Sequence, residues 1–251
     1  MRRTFCSLAL LSLAASVQAK NVNVSCNIES DYDLALNDRS VILTRDSGTP
    51  KWIVIRGDRL FVDDRWIALG KEDRQRIADF DRGTREVMPL AREIGREAAS
   101  IAFTALGEVA AGFSSDPADT RAKLDQARKK IDARLARSVT ANRFDGRDLG
   151  EGIGQAVSEV VPLVIGDIVG GAVRAALSGD SKRLEQMEDL DKQIEARIEP
   201  RAKALEQRAE QLCGKMEALD RLDNALAYRL PDGTAVDLLR IKPEAGADSE
   251  K

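Results

Sequence analysis

"RLFVDDRWIALGKEDRQRIADFDRGTREVMPLAREI", residues 59–94, changes its periodicity partway along, and that change decides the fold. Up to Leu69 short apolar runs are joined by Asp63-Asp64, a pair with the length of a two-residue hairpin loop. From Glu72 onward Ile77, Phe80, Thr84, Val87, Ala91, Ile94, Ala98, Ile101 and Ala105 step by three and four, the spacing of one buried helix stripe. Pro89 falls inside the stripe without shifting its register, which predicts a kink rather than an end.

Toward the N-terminus the period is two. Val22, Val24, Cys26 and Ile28 alternate with polar residues, as do Tyr32, Leu34 and Leu36; Val41-Ile42-Leu43 and Trp52-Ile53-Val54-Ile55 follow. Asp46-Ser47-Gly48 and Gly57-Asp58 are turn signals. Arg56-Gly57-Asp58 spells an integrin tripeptide, but a tight turn between two strands accounts for it.

Toward the C-terminus, Ser114-Ser115-Asp116-Pro117 stops the first helix and caps a second carrying Leu124, Ile131, Leu135 and Val139. A third covers about residues 150–177. After Ser178-Gly179-Asp180-Ser181 comes the longest periodic segment, with Leu184, Ile198, Leu205, Leu212, Leu219 and Leu226 at one heptad position. Arg201, Arg208 and Lys215 interrupt the other core position, which fits packing on the chain's own helices better than a regular coiled coil. Pro200 predicts a kink or a break there. Pro231-Asp232-Gly233 ends the helix, Val236, Leu238 and Arg240 offer a short strand, and the residues from Lys242 onward read as disordered. The fold class is α+β: a small antiparallel β-meander over residues 20–70, then a long, mainly antiparallel bundle of about four helices over 71–230, with a tail over 231–251.

The chain opens MRRTFCSLALLSLAASVQA, two arginines before a short apolar run and a small-residue cleavage site, so residues 1–19 read as a secretory signal peptide. Removing Arg2 and Arg3 takes 39 basic residues to 37 against 42 acidic ones. That mild acidity argues against a nucleic-acid partner, which needs clustered positive charge. Cys26 and Cys213 survive processing, and in an oxidising compartment such a pair reads as a disulfide. Closing nearly the whole chain, it would contribute roughly 5 kcal/mol by the chain-entropy model.

The chain has no histidine, which removes the usual participant from serine and cysteine triads and from most zinc sites. No phosphate-cradling glycine loop follows a strand. The carboxylate pairs Asp31/Asp33, Asp79/Asp81, Asp189/Asp191 and Asp220/Asp223 are what solvated faces and turns look like in a chain that is 32% charged. The sequence therefore identifies no catalytic residue, cofactor or metal site. A histidine-free hydrolase using carboxylates converging from distant positions remains open.

The stretch GEGIGQAVSEVVPLVIGDIVGG, residues 150–171, carries Gly150, Gly154, Ser158, Pro162, Gly166 and Gly170 four apart. Ten Val, Ile or Leu residues between Ile153 and Val173 favour membrane insertion by roughly 3–6 kcal/mol in total, while Glu159 and Asp167 oppose it by up to about 2.5–3.5 each. A single span is at best balanced. The row drifts about 40° per step and resolves into two small grooves. Close packing against Ala91, Gly95 and Ala99 is the favoured reading; a lipid contact or a pore-like role through residues 150–177 and a self-association surface are the others.

Together, the early mature cysteine, Arg59-Leu60-Phe61-Val62-Asp63-Asp64-Arg65-Trp66-Ile67-Ala68-Leu69, Arg85-Glu86-Val87-Met88-Pro89 and Ile198-Glu199-Pro200-Arg201-Ala202 with Cys213 resemble the YggN-like periplasmic proteins of proteobacteria, a family of unknown function. The resemblance implies a Gram-negative periplasm and no reaction. The expectation is a non-enzymatic envelope protein acting through protein or lipid contacts of its helices. A protein partner is expected, a membrane-surface contact is the second choice, and the oligomeric state is open.

Overall fold

The computed structural model describes residues 27–178 and 181–242; the predicted signal peptide, Cys26 and the residues after Lys242 lie outside them. Six strands, β1 (Asn27–Glu29), β2 (Asp33–Leu36), β3 (Val41–Thr44), β4 (Trp52–Arg56), β5 (Arg59–Val62) and β6 (Arg65–Ile67), precede the helices α1 (Lys71–Phe113) and α2 (Pro117–Ser138). A two-residue strand β7 (Phe144–Asp145) leads into α3 (Gly146–Ser178), and α4 (Ser181–Asn224) is followed by β8 (Arg240–Lys242). The α+β class and the helical bundle agree with the sequence reading.

Strands β2 to β6 form an antiparallel meander, and β7 adds to its β2 edge. Pairs Val41↔Ile55, Leu43↔Ile53, Ile53↔Val62 and Ile55↔Leu60 stack buried side chains on one face, as period-two alternation requires. The Asp63-Asp64 loop joins β5 to β6; Asp63 takes a positive φ, and its carboxylate accepts the Lys51 and Trp52 amides at 2.7 and 3.2 Å. Arg56-Gly57-Asp58 lies in the β4–β5 turn with Gly57 at φ 58°, and Arg56 bonds Ser40, so the tripeptide is committed to the turn.

β1 leaves the meander and pairs with β8 as a separate two-stranded ribbon. Val236, predicted in the short strand, is buried in the core ahead of it, with Leu238 and Leu239. The tail thus supplies core residues before it supplies hydrogen-bonded strand.

Helix α1 runs unbroken through Pro89, and α4 through Pro200. Ile77, Phe80, Thr84 and Val87 are buried against the sheet, where the predicted stripe is strongest. Further along, α1 packs beside α4 and α2, and α2 beside α3. Of the residues that interrupt the α4 heptad, Arg201 has a place: it reaches Glu97 at 2.8 Å, Ser100 at 2.7 Å and Thr104 at 3.2 Å, all on α1. At that position the leaky seam is a polar rung between two long helices.

Candidate functional site

Helix α3 divides at Pro162. Leu149, Ile153, Ala156, Val160, Val164, Ile168 and Gly171 recur at three and four and turn toward the bundle. On the outward face the first half is mainly polar, with Glu151, Gln155, Ser158 and Glu159 exposed and Val157 the one large apolar residue there at 39%. Beyond Pro162 that face becomes aliphatic: Leu163, Ile165, Val169, Val173 and Leu177 are between 48% and 84% exposed. Only 17% of the most apolar part of residues Gly146–Arg174 is buried, over a helical stretch long and apolar enough to cross a membrane.

The inner face of the second half is fastened at the α1–α2 corner. Asp167, the carboxylate that weighs against insertion in the sequence, turns inward onto the α1–α2 corner. It accepts hydrogen bonds from the Ser114 hydroxyl, the Ser115 hydroxyl and, at 2.8 Å, the Thr120 hydroxyl, and the Ser115 amide adds a longer one at 3.4 Å. These donors, the Ser114 hydroxyl first, hold its carboxyl well below the ordinary carboxylate range. Ser114 and Thr120 are themselves buried and bond each other at 3.0 Å. One turn on, Gly171 lies so close to the Phe113 carbonyl that a Cβ there would collide with main chain.

The small residues singled out in the sequence are placed differently from that reading. Added Cβ atoms at Gly150, Gly154 and Gly166 would meet nothing within 4 Å, and at Gly170 only the Arg174 side chain. Ser158 is exposed and bonds its own helix at Gln155. Gly95 faces Leu135 of α2 rather than α3, and Ala99 packs on the core. The inward positions are taken by Ala156 and Val164, which leaves Gly150, Gly154 and Gly166 on open surface. Close approaches occur instead at Gly171 and at Gly83, whose added Cβ would lie 2.8 Å from Leu219 of α4.

Cys213 is half-buried on α4, while its predicted partner Cys26 lies outside the described residues. Of the sequence-adjacent acid pairs, Asp31/Asp33 and Asp79/Asp81 are each committed to arginines, while Asp220 stays close enough to Asp223 to raise its pKa. Asp31 bonds Arg240, Asp33 bonds Arg147, Asp79 bonds Arg82 and Asp81 bonds Arg85; the side chains of Asp189 and Asp191 lie outside the described set.

Two carboxylates are buried against what the sequence suggests, where Asp223 reads as half of a solvated pair, because each is defined by backbone amides 15 or more residues away in the chain. Asp73, in the first turn of α1, accepts the Ala227 amide at 3.1 Å, the Tyr228 amide at 3.0 Å and Arg76 at 2.7 Å. Burial raises its pKa, but those donors outweigh the burial and hold it below the ordinary value. Asp223, at the end of α4, accepts the Leu238 and Leu239 amides at 2.5 and 3.3 Å, and its second oxygen is buried without a partner. Burial pushes its pKa up to about 7, against the lowering effect of the two amides. Each carboxylate organises the segment after α4 rather than facing a cleft, and that is structural work. Among the described residues no three acidic or cysteine side chains cluster as a metal site would require.

The chain matches, over residues 26–239, the family described as Protein of unknown function (DUF2884), and it belongs to that family. No curated protein and no solved structure matches it.

Proposed function

We propose that this family member is a non-enzymatic envelope protein that works by contact, and that its contact surface is the outer face of α3 over residues 162–177, laid shallowly into a lipid surface. The observation that carries the reading is the change of that face from polar to aliphatic at Pro162, with the one acid of the second half turned inward.

The composition of the ridge favours hydrocarbon over a protein partner. Protein interfaces are enriched in aromatic residues, Met and Arg, and carry about one hydrogen bond per 100–200 Å². This ridge is Leu, Ile and Val, with no aromatic residue and no outward hydrogen-bonding side chain before Arg174. Asp167 and Gly171 tie the opposite face to the α1–α2 corner, so the helix lies on the lipid rather than crossing it. Five half-exposed aliphatic side chains returned to hydrocarbon stabilise the bound state by on the order of 5 kcal/mol, at about 1.5–3 kcal/mol for each side chain fully buried. Binding of that strength is reversible, comparable with a single myristoyl chain.

Secretion follows from the leading segment, and the disulfide between Cys26 and Cys213 has geometric support. Ile28, two residues after Cys26, and Met216, three residues after Cys213, line the same cavity. Thiol labelling of the mature protein before reduction should find neither cysteine.

The test of the contact is flotation of the mature oxidised protein with phosphatidylethanolamine–phosphatidylglycerol vesicles. The wild type should co-migrate and a Leu163→Glu/Val169→Glu variant should stay behind. A wild type left at the bottom of the gradient would sink the reading. So would a wild type that sediments as a dimer where the variant is a monomer, since the ridge would then serve a second copy of the chain.

A further inference from the structure

Beneath the β1–β8 ribbon lies a cavity of about 310 Å³. Its floor is buried and apolar: Leu43 from the sheet, Phe80, Val87 and Met88 from α1, Leu219 from α4 and Leu238 from the closing segment. Its rim is open, with Ile28 and Ser30 exposed and Met216 half-buried. The volume is at the lower end of the range of small-molecule pockets, about 300–1,000 Å³, and twice that of a cavity of about 150 Å³ that holds benzene.

The polar groups in the wall are already engaged. Thr84 donates to the Phe80 carbonyl at 2.8 Å and Ser30 to the Leu238 carbonyl at 2.7 Å. Tyr32 lies under the Arg45 guanidinium, 4.8 Å from ring centroid to charge. Asp73 and Asp223, the buried acids nearby in the chain's closing segment, are not part of the wall. Glu29, also in the wall and half-buried, accepts a hydrogen bond from the Asn27 side-chain amide at 3.3 Å. Beside these engaged groups, what faces the space is aliphatic carbon, one phenyl ring and two methionines, and thioethers adapt readily to variable apolar shapes.

The roof is suited to opening. The ribbon comprises three residue pairs outside the main sheet, and a two-stranded ribbon of that size is marginal by itself. Its β8 side is held down by the Ser30–Leu238 bond, the Leu238 and Leu239 amides on Asp223 and the Arg240–Asp31 ion pair at 2.7 Å. The proposed Cys26–Cys213 disulfide would tie the start of β1 to α4, so the opening movement belongs to the β8 side.

From this lining, volume and roof we infer that the cavity is a binding site for one medium-length hydrocarbon chain, with the polar head of its carrier left at the rim beside Ser30 and Tyr32. About ten groups of water or methylene size fit, at roughly 30 Å³ each. A free fatty acid or an acyl chain of a phospholipid supplies that chemistry. The site is independent of the α3 ridge: one holds a single chain within the fold, the other touches a surface.

The test is titration of the mature full-length protein, without vesicles, with the fluorescent probe N-phenyl-1-naphthylamine, then displacement by decanoic acid in one arm and by a short-chain lysophospholipid in the other. Saturable one-to-one binding, displaced in at least one arm, is expected; the arm that displaces more strongly identifies the carrier. Val87→Phe at the floor and Met216→Trp at the rim should each weaken probe binding at least tenfold, with thermal melting to show that each variant folds. The ridge variant Leu163→Glu/Val169→Glu should bind the probe as the wild type does, which separates this site from the lipid-surface reading. Absence of saturable binding by the wild type overturns the inference, and so does undiminished binding by both folded cavity variants.

Discussion

The two ends of this molecule use the same kind of residue in opposite ways. At the sheet end, Asp73 and Asp223 are buried, and each grips backbone amides of the segment that follows α4, so two carboxylates fasten the closing segment onto α1 and α4. At the far end, Asp167 is gripped by three hydroxyls of the α1–α2 corner, and the helix around it keeps its aliphatic face in solvent. Buried acids close the fold in the first case. In the second, satisfying the acid frees an apolar surface from charge. Stability is therefore concentrated at the sheet end, and the exposed aliphatic face at the other.

The sharpest way to break this contrast is pH. Asp223 has its pKa raised to about 7 in the folded state by burial, with Asp237 and Asp220 nearby adding to the rise, against an ordinary value near 3.8. The folded state therefore binds the proton more tightly than the unfolded one. The stabilisation is fully present below about pH 4 and is lost as pH rises through about 7. Three units correspond to up to about 4 kcal/mol. The urea midpoint should fall between pH 4 and 7, and Asp223→Asn should flatten that slope; a wild-type midpoint unchanged over the window would refute the assignment. Asp73, whose pKa is lowered, loses its contribution only below the ordinary carboxylate range and does not mask the effect.

Next in size is Asp73→Ala. It strands the Ala227 and Tyr228 amides and Arg76, and should cost about 3 kcal/mol in the same denaturation assay. Gly171→Val should cost about 2 kcal/mol by forcing α3 away from the Phe113 carbonyl, and should loosen the Asp167 bonds with it. Amide exchange near residues 114–120 would report that loosening. At the small end, Leu163→Glu/Val169→Glu should change stability by less than about 0.5 kcal/mol per site while abolishing flotation. A large loss of stability there would mean the ridge is part of the core, and the contrast between the two ends would collapse.

Most of the architecture was legible in the sequence. Alternation in β3 to β5, the Asp63-Asp64 hairpin, the α1 stripe and the Ser-Asp-Pro stop at 114–117 are local signals, and local signals survive folding. The α3 glycine row misled because a spacing of four describes a groove without saying which way it faces. Ala156 and Val164 took the inward side, and Gly150, Gly154 and Gly166 were left open. Asp167 was read as a cost to membrane contact because its three hydroxyl partners lie some fifty residues away along the chain. Asp73 and Asp223 resembled any other acid in a highly charged chain. The cavity has no sequence signature, since its wall draws on the sheet, two helices and the closing segment.

By itself, the sequence determined a meander followed by long amphipathic helices, with no histidine to supply the commonest catalytic chemistry. Hydrophobic periodicity is a property of neighbours along the chain, and it specifies elements and their buried faces. Tertiary structure alone decided which apolar surface stays uncovered, which acids become structural and where a cavity opens. Those outcomes depend on how the elements compete for one core, and on hydrogen bonds between residues far apart in the chain.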